Sequence, residues 1–404
     1  MNLTASVIGG LERPNIQRNA LICAYLLTAI AVMGAASVVP ALPFLSDDLG
    51  ISPAQAAWVI GFFIAPAVVL TPLIGFIADR FGLKPTVICS LLLYGINAAA
   101  CVLANSFMML VSLRLLQGVG AAALELLALV IIASVATGNE IRKAMGRNAA
   151  VIGISLCVYP FISGILIELH WRLVFLMGLT ALPVAVFVYV QLDQRLFSAG
   201  RSSGRSNLWD LFNAVRKPAV RTQYVLIIGL FILLFGCFFS FMPEAAIRSG
   251  ITSGSLLGTI PLIMAAAIAT TAPFMNQVAE KMGERNLCVL AASLYAASMM
   301  LALHAKGYIL FGLSALLFGV AHGLLFPLTQ SVLGRNTPAG NKGLFMSANA
   351  MAIATGQTIG PFLIGLVVTL WTLDASFYLG IAIAVSIAVI SSSSMTQNEV
   401  NIQR

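Results

Sequence analysis

Twelve stretches of about 20 residues run through this chain nearly free of charge: 19–42, 55–78, 86–105, 107–136, 145–168, 172–192, 222–242, 254–278, 286–304, 308–333, 342–368 and 373–394. Runs of that length match the hydrocarbon thickness of a bilayer. Inside lipid every backbone N–H and C=O must be paired within the structure, so only helices or a closed barrel can span it. Barrel strands would alternate polar and apolar residues over about 10 positions, and these runs do not alternate. The chain is 60% hydrophobic and 9% charged, where a soluble domain carries about 25% charged residues. Lipid is therefore the solvent for most of it. The expected fold is an all-α integral membrane protein with twelve transmembrane helices.

The sequence also repeats itself. Pro72, Asp79, Gly82 and Lys84 line up with Pro273, Glu280, Gly283 and Arg285, and Gly118, Pro160 and Gly164 with Gly319, Pro361 and Gly365, always 201 residues later. Near the start of each half the offset is 200, as for Pro43 with Pro243 and Gly50 with Gly250. One register over such a length implies a duplicated half: two parallel-related six-helix bundles, residues 1–195 and 222–404, joined by a polar, basic linker at 196–221. Parallel repeats are a common transporter plan, with the substrate path between halves that rock against each other.

Charge gives the orientation. With the N-terminus inside, 18 of the 22 Lys and Arg fall in cytoplasmic segments and 3 in outer loops. By the positive-inside rule both termini are cytoplasmic, in a bacterial-type inner membrane. The net charge of +8 thus needs no nucleic acid partner. The first 18 residues lack a signal-peptide pattern, so no cleaved leader is expected. The six cysteines form no close pair such as CxxC and read as small apolar fillers, not disulfides or metal ligands. No GxxxxGK[ST] loop, zinc site or nucleophile–base pair is visible, so neither ATP drive, nor a cofactor, nor enzymatic chemistry is expected.

The loop after span two reads Gly75-Phe-Ile-Ala-Asp79-Arg80-Phe-Gly82-Leu-Lys84. It resembles the signature loop of the major facilitator superfamily, G-x-x-x-D-R-x-G-x-[KR], with Leu83 where the family often has a second basic residue. A worn copy in the second half keeps Glu280, Gly283 and Arg285. On physical grounds Gly75 is expected to let a neighbouring helix pack closely. Gly82 permits a tight turn, and Asp79 can cap a helix N-terminus and pair with a basic neighbour. The resemblance implies that Gly75, Asp79, Arg80, Gly82 and Lys84 gate the cytoplasmic side, with Asp79 tied to the start of span eleven near Gly343 to Ser347.

Span four carries Arg114-Leu-Leu-Gln117-Gly118-x-Gly120 and then Glu125. The first part resembles the family's span-four motif, whose arginine is linked to proton coupling. Arg114 and Glu125 are 11 residues apart, so they share a helix face within roughly 20° but differ in depth by about 16 Å. Glu125 is the one acidic residue well inside a span. A lone carboxylate at mid-bilayer costs about 2.5–3.5 kcal/mol or more, and burial favours its neutral form. It is thus a candidate proton site or counter-charge for a cationic substrate; the plainer reading is a protonated side chain hydrogen-bonded for packing. Span one has no acid between Arg18 and Asp47, where many drug exporters of the superfamily carry one, so the coupling burden shifts to Glu125.

Span five holds Tyr159-Pro160-Phe-Ile-Ser-Gly164 and span eleven Gly360-Pro361-Phe-Leu-Ile-Gly365. Both resemble the family's exporter motif in part, and Gly118, Pro160, Gly164, Gly360, Pro361 and Gly365 are expected at helix-packing positions. The resemblance makes spans one, four, seven and ten line the path. Candidate substrate contacts are Glu125, Tyr159, Phe235, Phe238, Phe239, His322, Phe326, Gln330, Asn349 and Gln357. An aromatic wall with few polar groups suits an amphipathic organic molecule better than a sugar or an inorganic ion.

The expected function is a proton-coupled secondary transporter, acting as a monomer by alternating access. It would export an amphipathic organic molecule: a drug, or a secreted metabolite such as a siderophore. The nearest competing expectation is a proton-coupled importer of an organic solute, and a more distant one a non-transporting membrane receptor.

Overall fold

A computed structural model describes residues 3–136, 139–193, 218–335 and 342–402. Among these, every regular element is helical, and twelve helices are long and apolar enough to cross a membrane. They are Ile16–Leu49, Pro53–Thr71, Leu83–Cys101, Phe107–Val135, Glu140–Ile167, Leu173–Gln191, Val220–Arg248, Gly254–Met282, Glu284–His304, Tyr308–Arg335, Ala348–Leu370 and Leu373–Ser391, here numbered span one to span twelve. The expected linker lies almost wholly outside the described residues. Span one runs further than its apolar stretch because Pro40 and Pro43 break it without ending it. A 3-10 turn at Val39–Ala41 leads into a second helix, Leu42–Leu49, with proline in its first turn.

The internal repeat is written in the backbone. Gly82 (φ 97°) and Gly283 (φ 84°) make the same turn in each half, and their N–H groups bond to the carbonyls of Ala78 and Ala279. A side chain at either would be strained. Farther in, a Cβ on Gly118 would clash with the carbonyl oxygen of Phe63, and one on Gly319 with that of Met264. The two glycines are 201 residues apart, as are Phe63 and Met264, so glycine is required where two backbones touch. Gly75 does not fit that pattern. A Cβ there meets open space, which corrects the expectation of a close helix at this position; the adjacent Phe76 is exposed.

Packing divides the chain into two compact units: Met1–Val38 with Phe62–Tyr159 and Arg172–Ser203, and Val39–Gly61 with Pro160–Trp171 and Gly204–Arg404. Two first-half segments, Val39–Gly61 and Pro160–Trp171, thus group with second-half residues. Within that second unit a Cβ on Gly164 would lie 2.5 Å from the Gly254 oxygen, and one on Gly365 would lie 3.4 Å from the Ala54 oxygen. Residues 54 and 254 are repeat equivalents, as are 164 and 365, so the contact recurs with partners exchanged. Pro160 joins it through its carbonyl, 2.5 Å from a Cβ on Gly258. Gly360 approaches the backbone nitrogen of Gly236 to 2.9 Å by the same measure.

Candidate substrate and coupling site

Span four starts cleanly because Ser106 caps it, its hydroxyl accepting from the Met109 N–H at 3.3 Å. About two turns later Arg114 is fully buried, with 0% exposure. Its Nη1 donates to Gln117 Oε1 at 2.8 Å and its Nη2 to the Gly34 carbonyl at 2.7 Å. The guanidinium lies 4.1 Å above the Phe63 ring and 5.9 Å from that of Phe175. Among the described residues no carboxylate pairs with it. The charge is held by neutral acceptors and a ring face, an arrangement that gains strength when water is excluded. Two polar atoms of the cluster, Arg114 Nε and Tyr94 Oη, are buried with no partner among the described residues.

Glu125 shares the Arg114 face but not its surroundings. Its side chain is exposed, and no hydrogen bond or ion pair is found for it among the described residues. At about 100° per residue it stands about 120° away from the outward row of Met108, Ser112, Leu115 and Leu116. It therefore opens on the face that buries Arg114 and Gly118, not on the broad apolar flank. Arg114 and Glu125 are not brought together: at about 1.5 Å per residue they stand about 16 Å apart along the helix.

In the second unit span seven changes pitch. An α-helix Pro218–Phe231 gives way to a π-helix Ile232–Phe239 and then to Ser240–Arg248. Pro243 has no N–H for the carbonyl four residues back, Phe239, which falls at the end of the widened segment. The wider turn gathers an aromatic cluster. Phe235 lies 6.4 Å from Phe231 and 5.1 Å from Phe239, and Phe238 lies 4.7 Å from Phe318. Phe231 meets His322 edge-on at 5.8 Å and Phe326 at 5.4 Å. His322 stacks on Phe326 at 5.5 Å, and its Nδ1 is 2.7 Å from Tyr295 Oη.

The expected substrate contacts thus fall into groups. Phe238 and Phe239 are 1% and 0% exposed and reach no accessible surface in this conformation. Phe235 and His322 are buried at the cluster edge, and Phe326 is half-buried. Gln330 donates to Asn349 Oδ1 at 3.2 Å; Gln357 is half-buried. Tyr159 is half-buried as well. On the loop expected to act as a gate, Asp79 and Arg80 are placed at the end of the helix, Arg80 lies 5.7 Å from the Phe81 ring, and Lys84 lies 5.2 Å from the Tyr189 ring. The side chains of Gly343 to Ser347, the expected partners of Asp79, lie outside the described residues. Sequence reasoning missed Tyr295 and the Phe63–Tyr94 cradle of Arg114. A signal existed, since Tyr94 and Tyr295 are 201 apart, a repeat pair of polar aromatics on otherwise apolar helices.

Comparison with known proteins places a family profile, curated relatives and solved structures beside this geometry. A family profile described as Major Facilitator Superfamily matches residues 24–270 and 226–401. The multi-drug resistance efflux pump PmrA of Streptococcus pneumoniae is 26% identical over 337 residues, 80% of this chain and 83% of that protein. Multidrug resistance protein 1 of Bacillus subtilis is 23% identical over 378 residues, 89% of this chain and 92% of its own length. Among solved structures, a bacterial homolog of the human lysosomal transporter Spinster, inward-facing and unoccupied, superposes with a TM-score of 0.74 at 16% identity, covering 94% of this chain and 95% of that one. A D-xylose–proton symporter gives 0.73 at 15% identity, covering 93% and 96%.

Proposed function

The chain belongs to the Major Facilitator Superfamily, a family of multi-pass membrane transporters, and from that premise we propose that it exports an amphipathic organic molecule in exchange for protons. The observation that carries this reading is Glu125: a carboxylate at mid-span, exposed and with no partner among the described residues, on the helix face that also holds Arg114. A carboxylate at mid-span with no polar partner can take and release a proton as the transport cycle opens the site to water on one side and then the other. Arg114, held by Gln117 and Gly34, keeps a fixed positive charge on the same face. The aromatic cluster around His322 offers a substrate flat apolar contact with few polar groups. The efflux pumps among the relatives favour export, and drugs, together with secreted metabolites such as siderophores, have the required chemistry. The excess of basic residues in the segments between even-to-odd spans supports an inner-membrane orientation with both termini in the cytoplasm.

Reconstitution into liposomes with an internal pH-sensitive dye tests the reading. A panel of cationic, neutral and anionic amphiphiles is added in turn. The proposal expects at least one to move protons in the direction opposite to its own. Proton movement in the same direction would make the protein a symporter, and binding with no movement of either species would make it a receptor.

A further inference from the structure

Tyr295, on span nine, is 0% exposed, and among the described residues its hydroxyl has one partner, the Nδ1 of His322 at 2.7 Å. A phenol in a dry site must place its proton on an acceptor or leave it unsatisfied. If Nδ1 carried the ring proton and donated to the phenol, the Tyr295 O–H would have no acceptor. The phenol therefore donates to Nδ1, and the neutral ring carries its proton on Nε2. His322 is 5% exposed. Its Nε2 has no hydrogen-bond partner among the described residues, yet it is not one of the fully enclosed unpaired polar atoms. It opens on the gap that leaves the ring that trace of surface. Around the imidazole ring stand Phe231 edge-on, with Phe326 and Phe318 near-parallel to it at 23° and 12°. The first half has no counterpart. There the repeat equivalent of His322 is Ala121, and the Tyr94 hydroxyl is buried without a partner among the described residues.

We infer that Tyr295 is a positioning residue for substrate selection: it holds His322 as the Nε2–H tautomer, so that the aromatic cluster presents a single hydrogen-bond donor. The ligand class follows from the chemistry. A flat, aromatic molecule with an acceptor in or beside its ring plane, such as a carbonyl, fits a donor framed by ring faces. A molecule of the same shape lacking the acceptor leaves the donor unpaired and binds less well. This inference rests on the reading that substrate meets the His322 cluster.

The test begins with the full-length protein labelled with 15N-histidine. The chain has three histidines, and His322→Gln identifies the signal of interest. The expected spectrum near neutral pH has a protonated Nε2 and an unprotonated Nδ1 for His322. In Tyr295→Phe the constraint is gone, and the signal moves toward the other tautomer or an average of the two. A wild-type ring protonated on Nδ1, or a Tyr295→Phe spectrum identical to wild type, overturns the inference; the wild-type measurement decides even if the variant does not fold. The second arm compares binding of 9-fluorenone and fluorene, planar tricyclic molecules that differ by a carbonyl. Wild type should prefer the ketone by about threefold to tenfold, the worth of one neutral hydrogen bond, and Tyr295→Phe should lose that preference. An unchanged preference in a variant whose tautomer has shifted overturns the selectivity claim. Both arms read tautomer or binding without transport, so a failure of the export reading would leave them intact.

Discussion

Arg114 keeps its charge at full burial through two directional bonds and one ring face, and each needs the planar guanidinium. Lysine at this site retains the charge but cannot serve Gln117 and the Gly34 carbonyl from a flat fork while lying over Phe63. A hydrogen bond to a charged group is worth roughly 1.5–3 kcal/mol. Arg114→Lys should therefore fold with a lower melting temperature and transport about tenfold or more slowly, measured as initial rates at equal amounts of protein in the membrane. A wild-type rate would reduce Arg114 to a buried anchor. Glu168 is a second residue-scale case. It follows span five and accepts from the Ser255 N–H at 3.0 Å and the Ser253 hydroxyl at 2.7 Å at the start of span eight. Those donors, the Ser255 N–H foremost, favour the ionised form and hold its carboxyl below the usual carboxylate range. A lowered folded-state value means the contact is fully stabilising above the unfolded value and is lost as pH falls through the lowered one. Below about pH 4 wild type should lose melting temperature faster than Glu168→Gln. Parallel pH profiles would show that the contact contributes nothing measurable.

At the scale of the element, glycine decides where helices touch. A methyl group on Gly118 or Gly319 has no room beside the carbonyls of Phe63 and Met264, and overpacking of this kind costs about 1–3 kcal/mol or more. Gly118→Ala and Gly319→Ala should each lower the melting temperature in detergent by several degrees, while Gly75→Ala, which meets open space, should not. Equal effects of all three would remove the packing argument. These contacts were legible in the sequence because a glycine repeated in register across both halves points to close backbone approach in each. Gly75 misled because its spacing belongs to the loop motif, and spacing alone does not say which neighbour is near. The π-helical stretch of span seven was not legible. Phenylalanine and leucine carry no periodicity that distinguishes a wide turn from an α-turn, and the Gly236–Gly360 approach that falls within the stretch is a contact distant in sequence.

For the whole molecule the duplication fixes the plan and the departures from it carry the chemistry. Twelve helices and the repeat were readable from run length and offset, since lipid permits so few backbone solutions. The partners within each site were less readable, because repeat-equivalent positions have diverged: Gln117 corresponds to Phe318, Ala121 to His322 and Glu125 to Phe326. The first half thus holds a fixed cation and a carboxylate with no polar partner among the described residues, and the second a polar pair inside an aromatic cluster. On the proposed reading that asymmetry gives proton handling to one half and substrate contact to the other, with Glu125 as the point where they must be linked. The most direct measurement compares wild type and Glu125→Gln in liposomes, following the best-transported amphiphile under an imposed pH gradient and in exchange without one. On that coupling role, Glu125→Gln loses at least about tenfold of gradient-driven transport while exchange at equal pH persists. Full gradient-driven transport by Glu125→Gln would contradict it.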